Sequence, residues 1–259
     1  MELSARACCD PCLPVVIDPE ALDPRPAGLP DCMKCPYRDP GTPAVCYACA
    51  NAGVRAAAGP TCRLCGQELV DARCTNTVCT LPDPWFSRIH VVSGCTEPMW
   101  EAVTRYKYDE DRGWADLLAR ILVGFLDDHR DEMRRYDRIT TGALYVGPKA
   151  RRLWDHLRLV LDAAERQAPA WPFAPDLITK AVPTGQFLGR DVETRRRIAE
   201  GELRTALAVP DPGRVAGRRV LVLDDVYSEG FSLREMARTL RLAGAAEVAG
   251  VVLARRKGG

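Results

Sequence analysis

The sequence predicts an α/β fold: a parallel sheet with helices on both faces, preceded by a small cysteine-rich module. Three observations carry this expectation. Short apolar runs alternate with helical patterns through the later two-thirds of the chain, the order that builds a parallel sheet covered on both faces. Eleven of the 12 cysteines lie before residue 80, most of them in pairs two residues apart. Nearly half of the 259 residues are hydrophobic (47%), enough for the core of one α/β domain beside a smaller module.

The elements come in order along the chain. Residues 1–30 read as a lead-in interrupted by Pro14, Pro19, Pro24, Pro26 and Pro30, extended rather than packed. Residues 31–85 form the cysteine module, and 86–259 the α/β domain. In "TEPMWEAVTRYKY" Thr96 caps a helix with Pro98 in its first turn. In the next helix Trp114, Leu117, Leu118, Ile121, Leu122, Phe125 and Leu126 fall on one face, as a core-facing helix requires. "TGALYVGP" is a β-rich run, "RRLWDHLRLVLDAAERQ" a helix, and "DLITKAV" a strand or a helix end. "RDVETRRRIAEGELRTAL" is basic; Arg195–Arg197 read equally as a solvated helix face or as a functional segment. "RRVLVLDDV" is a buried strand, "SLREMARTLRLAGA" a helix and "EVAGVVLARR" a final strand.

Charge excludes little and favours little. With 36 Lys and Arg against 35 Asp and Glu, the net charge of +1 points toward neither nucleic acid nor a membrane surface. No apolar run reaches the roughly 18–20 residues of a transmembrane helix. "MELSARACCDPCLP" lacks the basic-then-apolar order of a signal peptide, so the expectation is a cytoplasmic protein without membrane contact. A reducing compartment disfavours disulfides, and cysteines at short regular spacings then point to metal.

Zinc needs four soft ligands in a tetrahedron, and a tight Cys-x-x-Cys turn supplies two. Cys62, Cys65, Cys74 and Cys79 make one expected ribbon, with Gly66 permitting the left-handed backbone that closes the knuckle and eight residues leaving room for a hairpin before Cys74. Cys32, Cys35, Cys46 and Cys49 make the other, for about two zinc ions per chain. A crossed set joining Cys46 and Cys49 to Cys62 and Cys65 also satisfies the spacing. Four thiolates leave no open coordination position, so these sites are structural. Cys8, Cys9, Cys12 and Cys95 read as unpaired or buried thiols, the alternative being a third site that borrows a ligand.

The chemistry is concentrated in "VLVLDDVYSEGFS". Val220–Leu223 form a central strand, Asp224 and Asp225 emerge at its carboxyl end, Tyr227–Ser232 make the loop, and a helix starts near Ser232. Ligands of parallel sheets bind beyond the carboxyl ends of the strands, and N–H groups at a helix start hold anions. Gly230 lets the backbone approach an anion, Ser228 and Ser232 add donors, and the carboxylates suit sugar hydroxyls or Mg²⁺. A ligand with a phosphate at one end and a diol nearby satisfies the whole stretch. Glu229, in the middle of the loop, is expected to turn outward, to solvent or an arginine. His156, beside Trp154, reads as structural, with an acid–base role as the alternative.

Strand, acidic pair and Ser- and Gly-containing loop resemble the signature of type I phosphoribosyltransferases. The layout as a whole resembles the ComF family, competence-associated proteins with a zinc finger before a phosphoribosyltransferase domain. The resemblance runs in order over about residues 30–256: "RYKY" with Lys107 is similar to a lysine–tyrosine element, "YVGPKARRLWDH" to a proline loop, and "TGQFLGRDVETRRR" to an arginine-rich flap. It implies a type I phosphoribosyltransferase-like fold. It implies phosphoribosyl pyrophosphate or a similar phosphorylated ribose, with Mg²⁺, held by Asp224, Asp225, Val226, Tyr227, Ser228, Glu229, Gly230, Phe231 and Ser232. It implies a pyrophosphate loop at Gly147, Pro148, Lys149, Arg151 and Arg152, and Arg190 and Arg195 closing over the ligand. Glu229 stands where the family carries a small residue. The expected activity is transfer of the phosphoribosyl group to an acceptor with release of pyrophosphate. The alternative is a protein that binds such ligands without turnover and meets DNA, RNA or a protein partner through its zinc ribbons.

Overall fold

The structure, a computed structural model, describes residues 59–95, 97–108, 112–150, 154–187 and 189–258. The lead-in with Cys8, Cys9 and Cys12, the cysteine set Cys32, Cys35, Cys46 and Cys49, the Thr96 cap, and Arg151 and Arg152 lie outside the described residues.

The main sheet has four parallel strands in the order β1-β6-β5-β2: β1 Ile89–Gly94, β2 Arg138–Thr141, β5 Arg219–Tyr227 and β6 Glu247–Arg255. Alternate residues of a strand face opposite sides, and here each side meets its own apolar cluster. Leu221, Leu223, Val251 and Leu253 pack with α1 (Glu97–Tyr108), α2 (Trp114–Asp128) and α4 (His156–Gln167). Val220, Val222, Val248 and Val252 pack with α7 (Phe231–Leu242), and the same cluster takes in Cys65, Val78 and Phe86 of the cysteine module. Burial on both faces explains why the two long strands are near-continuous runs of aliphatic residues. The face expected of α2 is buried, with Phe125 at its edge only partly covered.

Four expectations change. β1, unanticipated, is a short strand interrupted by His90 and Ser93; His90 is nonetheless buried, with Nε2 2.8 Å from Tyr136 Oη. The run "TGALYVGP" contributes only Thr141 to the sheet: Gly142 N makes a bond to Leu223 O (2.7 Å), and beyond it the chain leaves β5. "DLITKAV" supplies only β3, Thr179–Lys180, paired antiparallel with β4, Leu207–Ala208, in a separate two-stranded ribbon. β5 runs through both aspartates to Tyr227, because β6 continues beside it to Arg255, so the loop shrinks to Ser228–Gly230.

Between β3 and β4 the basic stretch is helical: α5 (Val192–Ile198), a π-helical turn (Ala199–Leu203) and α6 (Arg204–Ala206). Its base is tied to α7, where buried Glu235 accepts two bonds from Arg204 (2.8 and 3.0 Å) and one from Arg234 (2.8 Å). The remaining short helix, α3, spans Arg130–Met133. Among the described residues no helix is long and apolar enough to cross a membrane.

Candidate functional site

A cleft of about 940 Å³ opens at the carboxyl end of the sheet, lined by Asp224–Leu233 from β5, its loop and the start of α7. Lys107 of α1, His156 of α4, Arg190 and Arg195 also reach it. This is where the strand ends of a parallel sheet leave room for a ligand.

The two aspartates are not equivalent. Asp225 is buried, and both its oxygens are engaged: Oδ2 lies 2.6 Å from Lys107 Nζ and 2.5 Å from His156 Nε2, and Oδ1 accepts from Val226 N (2.6 Å). Burial opposes ionisation of Asp225, but the Lys107 charge and the His156 hydrogen bond outweigh it, holding the carboxyl well below the usual range. Asp224, only partly buried, faces the cleft, with Oδ1 accepting from Asp225 N (2.9 Å). His156 is set by its own surroundings: Asp155 caps α4 through Arg158 N (2.9 Å), Tyr106 Oη donates to His156 O (2.7 Å), and the rings of Tyr106 and Trp154 stand edge-on to the imidazole.

The loop ends at Gly230, whose φ of +93° is left-handed, and α7 begins at the next residue. A Cβ there would lie 2.0 Å from Tyr227 Oη, so glycine is required by both backbone and space. The first N–H groups of α7 are left for an anion. Of the two partners expected for Glu229, solvent or an arginine, it takes the arginine. It is 5% exposed, its Oε2 is 2.5 Å from an Arg195 guanidinium nitrogen, and Ser228 Oγ donates to the same oxygen (2.8 Å). Arg195 is held in turn by the Arg190 carbonyl (2.8 Å).

Of the other residues the sequence points to, Val226, Tyr227, Phe231 and Ser232 line the cleft. Gly147, Pro148 and Lys149 form an exposed turn outside the lining, with Lys149 at a left-handed φ of +64°. Cationic groups that sequence reasoning missed line it instead: Lys180, whose ammonium burial shifts downward and which donates to Thr184 (2.7 Å), and Arg256 and Lys257 just past β6. The last two had a readable signal, since they directly follow a strand parallel to β5. Lys180 had none, because its place depends on the β3–β4 ribbon.

Behind the loop lies the cysteine module. Gly66 has the expected left-handed φ of +69°, and the hairpin closes through Asp71 and Ala72, both at positive φ. The Sγ atoms of Cys62, Cys65, Cys74 and Cys79 all lie within 4.8 Å of one another, at 3.9 Å for Cys62–Cys79 and 3.6 Å for Cys65–Cys74. A tetrahedron of zinc–sulfur bonds has edges of roughly 3.8 Å. Without a cation the four thiols cannot ionise together: the Cys79 hydrogen bond lowers Cys65 to about 5, burial raises Cys74 to about 11, and the bond to Cys65 pushes Cys79 far up. The donor set therefore fits a soft dication such as zinc. Cys95 stands apart, part-buried against the core.

Residues 170–259 match the phosphoribosyl transferase domain. The chain is 26% identical over 197 residues to competence protein F of Haemophilus influenzae, across 73% of this chain and 82% of that protein. Among solved structures it is similar to an allosteric regulatory enzyme of purine biosynthesis (24% identity, TM-score 0.27, 45% of this chain and 22% of that one). It is also similar to a purine phosphoribosyltransferase from Pyrococcus horikoshii (14% identity, TM-score 0.31, 55% of this chain and 82% of that one). Structural likenesses this loose say nothing about the chemistry of the cleft.

Proposed function

We propose that this chain, similar to competence protein F and matching the phosphoribosyl transferase domain over residues 170–259, binds phosphoribosyl pyrophosphate or a related ribose phosphate in its cleft and transfers the phosphoribosyl group to an acceptor. The observation that supports this most is the convergence, in one cleft, of Asp224 near the carboxyl end of β5 and a left-handed glycine at a helix start.

Asp224 accepts hydrogen bonds from the ribose hydroxyls, while Asp225 acts behind it, as the buried partner of Lys107 and His156 that fixes the end of β5. The 5′-phosphate meets the N–H groups of Phe231 and Ser232 and the hydroxyls of Ser228 and Ser232. As the bond from C1 to the pyrophosphate oxygen breaks and a bond from C1 to the acceptor forms, negative charge collects on the leaving group. Lys180, Arg190, Arg256 and Lys257 stand around the cleft to offset it. Mg²⁺, when bound, would supply further charge neutralisation at the pyrophosphate, and Asp224 would hold it or its water. The Cys62–Cys79 cluster is a structural zinc site, since four thiolates leave no position for a substrate. The module of 31–85 and the domain of 86–259 are the two functional parts.

One observation favours a second reading, binding without turnover. Glu229 holds Arg195, the flap residue expected to close over the ligand, against the loop instead. On that reading the module around the cysteines is where DNA, RNA or a protein partner docks.

The test is thermal unfolding of the purified chain with phosphoribosyl pyrophosphate and Mg²⁺. A ligand at a hundredfold excess over its Kd stabilises by about 2.7 kcal/mol. Stabilisation of the wild type that is lost in Asp224→Asn supports the site; none at millimolar ligand overturns it. Pyrophosphate release on adding a pool of acceptors separates transfer from binding alone.

A further inference from the structure

We propose that metal binding at Cys62, Cys65, Cys74 and Cys79 and ligand binding at the Ser228–Ser232 loop are linked, with Asn76 and Arg255 as the positioning residues that join them. The inference rests on reading that loop as the phosphate site.

Asn76 lies between Cys74 and Cys79 and is fully buried. Its Oδ1 accepts from Val78 N (3.2 Å), which starts the turn carrying Cys79, and its Nδ2 donates to Ser228 O (2.9 Å). One side chain thus touches both the ligand turn of the metal and the first carbonyl of the loop. Arg255, at the end of β6, does the same from the other side. It donates to Cys65 O (3.1 Å), to Gln67 Oε1 (2.8 Å) and to Tyr227 O (3.1 Å), with its guanidinium 4.7 Å from the centre of the Tyr227 ring. Gly258 closes the joint: a Cβ there would lie 2.7 Å from Asn76 Nδ2 and 2.8 Å from Ser228 O.

The consequence for the loop comes from peptide geometry. In a planar trans peptide the N–H points opposite to the C=O. Asn76 anchors the Ser228 carbonyl to the module, which turns the Glu229 N–H to the side remote from it. The Tyr227 carbonyl is held by Arg255 and by Arg256 N (2.8 Å) at the end of β6, which turns the Ser228 N–H away from that strand. The Tyr227 ring adds a wedge. It lies against Gly230, and its buried hydroxyl has no hydrogen-bond partner among the described residues, so the ring is held by packing and by the Arg255 guanidinium over its face. Losing the metal frees the Cys74–Cys79 turn, and with it the donor that orients the loop.

Linkage is reciprocal: if zinc tightens phosphoribosyl pyrophosphate, the ligand must tighten zinc by the same factor. Asn76→Asp isolates the joint, because the carboxylate still caps Val78 N but offers no N–H to Ser228 O. The experiment measures phosphoribosyl pyrophosphate affinity by calorimetry in the wild type and Asn76→Asp at equal zinc content. It also measures zinc transfer to a chromogenic chelator with and without the ligand. The expected result is a loss of about tenfold in affinity in Asn76→Asp, and zinc release from the wild type slowed by the ligand but not from the variant. Equal affinities together with ligand-independent zinc release overturn the linkage and leave the phosphate site standing. No binding to the zinc-loaded wild type overturns the phosphate reading itself, and the linkage with it.

Discussion

At the scale of single residues, the site is governed by which charges already have partners. Lys107, His156 and Asp225 lie 49 and 69 positions apart in sequence, and only folding puts them on one oxygen. Removing one partner of a buried pair typically costs about 3–5 kcal/mol, so Lys107→Met should lower the urea midpoint markedly, while Asp224→Asn should leave it nearly unchanged. The sign of the pH effect follows from Asp225. Its carboxyl is depressed in the folded chain, so its stabilisation is complete above the ordinary carboxylate pKa of about 4 and drains away as pH falls below it. Urea midpoints measured downward from about pH 5 should therefore fall more steeply for the wild type than for Asp225→Asn; parallel curves would refute this. Glu229 is the other decisive residue. A solvent-facing carboxylate would make Glu229→Thr nearly silent, but Glu229, though paired with an arginine as expected, is buried and takes the Ser228 hydroxyl of the loop itself. Two like charges about 4 Å apart near a surface repel by about 4 kcal/mol, so Glu229→Thr should tighten phosphoribosyl pyrophosphate at least tenfold in calorimetry.

At the scale of elements, periodicity served well where a single face is buried and poorly where pairing decides. α2 and α7 are legible because their apolar residues recur at helical spacing over three turns or more. β5 and β6 are legible as unbroken aliphatic runs, but their ends are not, because a strand extends as far as its neighbour accompanies it. β1 and the two-residue β3 and β4 exist through pairing with distant segments, which no local pattern announces. The β5–α7 joint shows how tightly an element boundary can be specified. Gly230 combines left-handed backbone with a position occupied by the Tyr227 ring. Gly230→Ala should cost at least about 1 kcal/mol from backbone strain alone and abolish ligand-dependent stabilisation, read in one thermal-shift series.

At the scale of the whole molecule, the cysteine module is part of the core rather than an appendage. Cys65, Val78 and Phe86 share an apolar cluster with β5, β6 and α7, Ile89 N bonds back to Leu64 O, and a Cβ on Gly66 would strike Val91. Chelation at neutral pH should therefore lower the midpoint of the entire cooperative transition, followed by the fluorescence of tryptophans in the α/β domain, rather than melt a separate module; an unmoved transition would show the two parts to be independent. The sequence by itself determined the fold class, the Cys-x-x-Cys metal-binding pattern and the order of strand, acids and glycine, while the structure brought Cys62, Cys65, Cys74 and Cys79 together where the spacing also allowed a crossed set. The first three depend on local geometry: side-chain alternation, the reach of a Cys-x-x-Cys turn, and the need for glycine at positive φ. Only the tertiary structure decided that Asp225 is spent on Lys107 and His156, that Glu229 meets Arg195, and that Asn76 ties the cysteine turn to the loop. Each of those is a contact between segments far apart in the chain, and a one-dimensional pattern does not encode which distant partner will satisfy a buried charge.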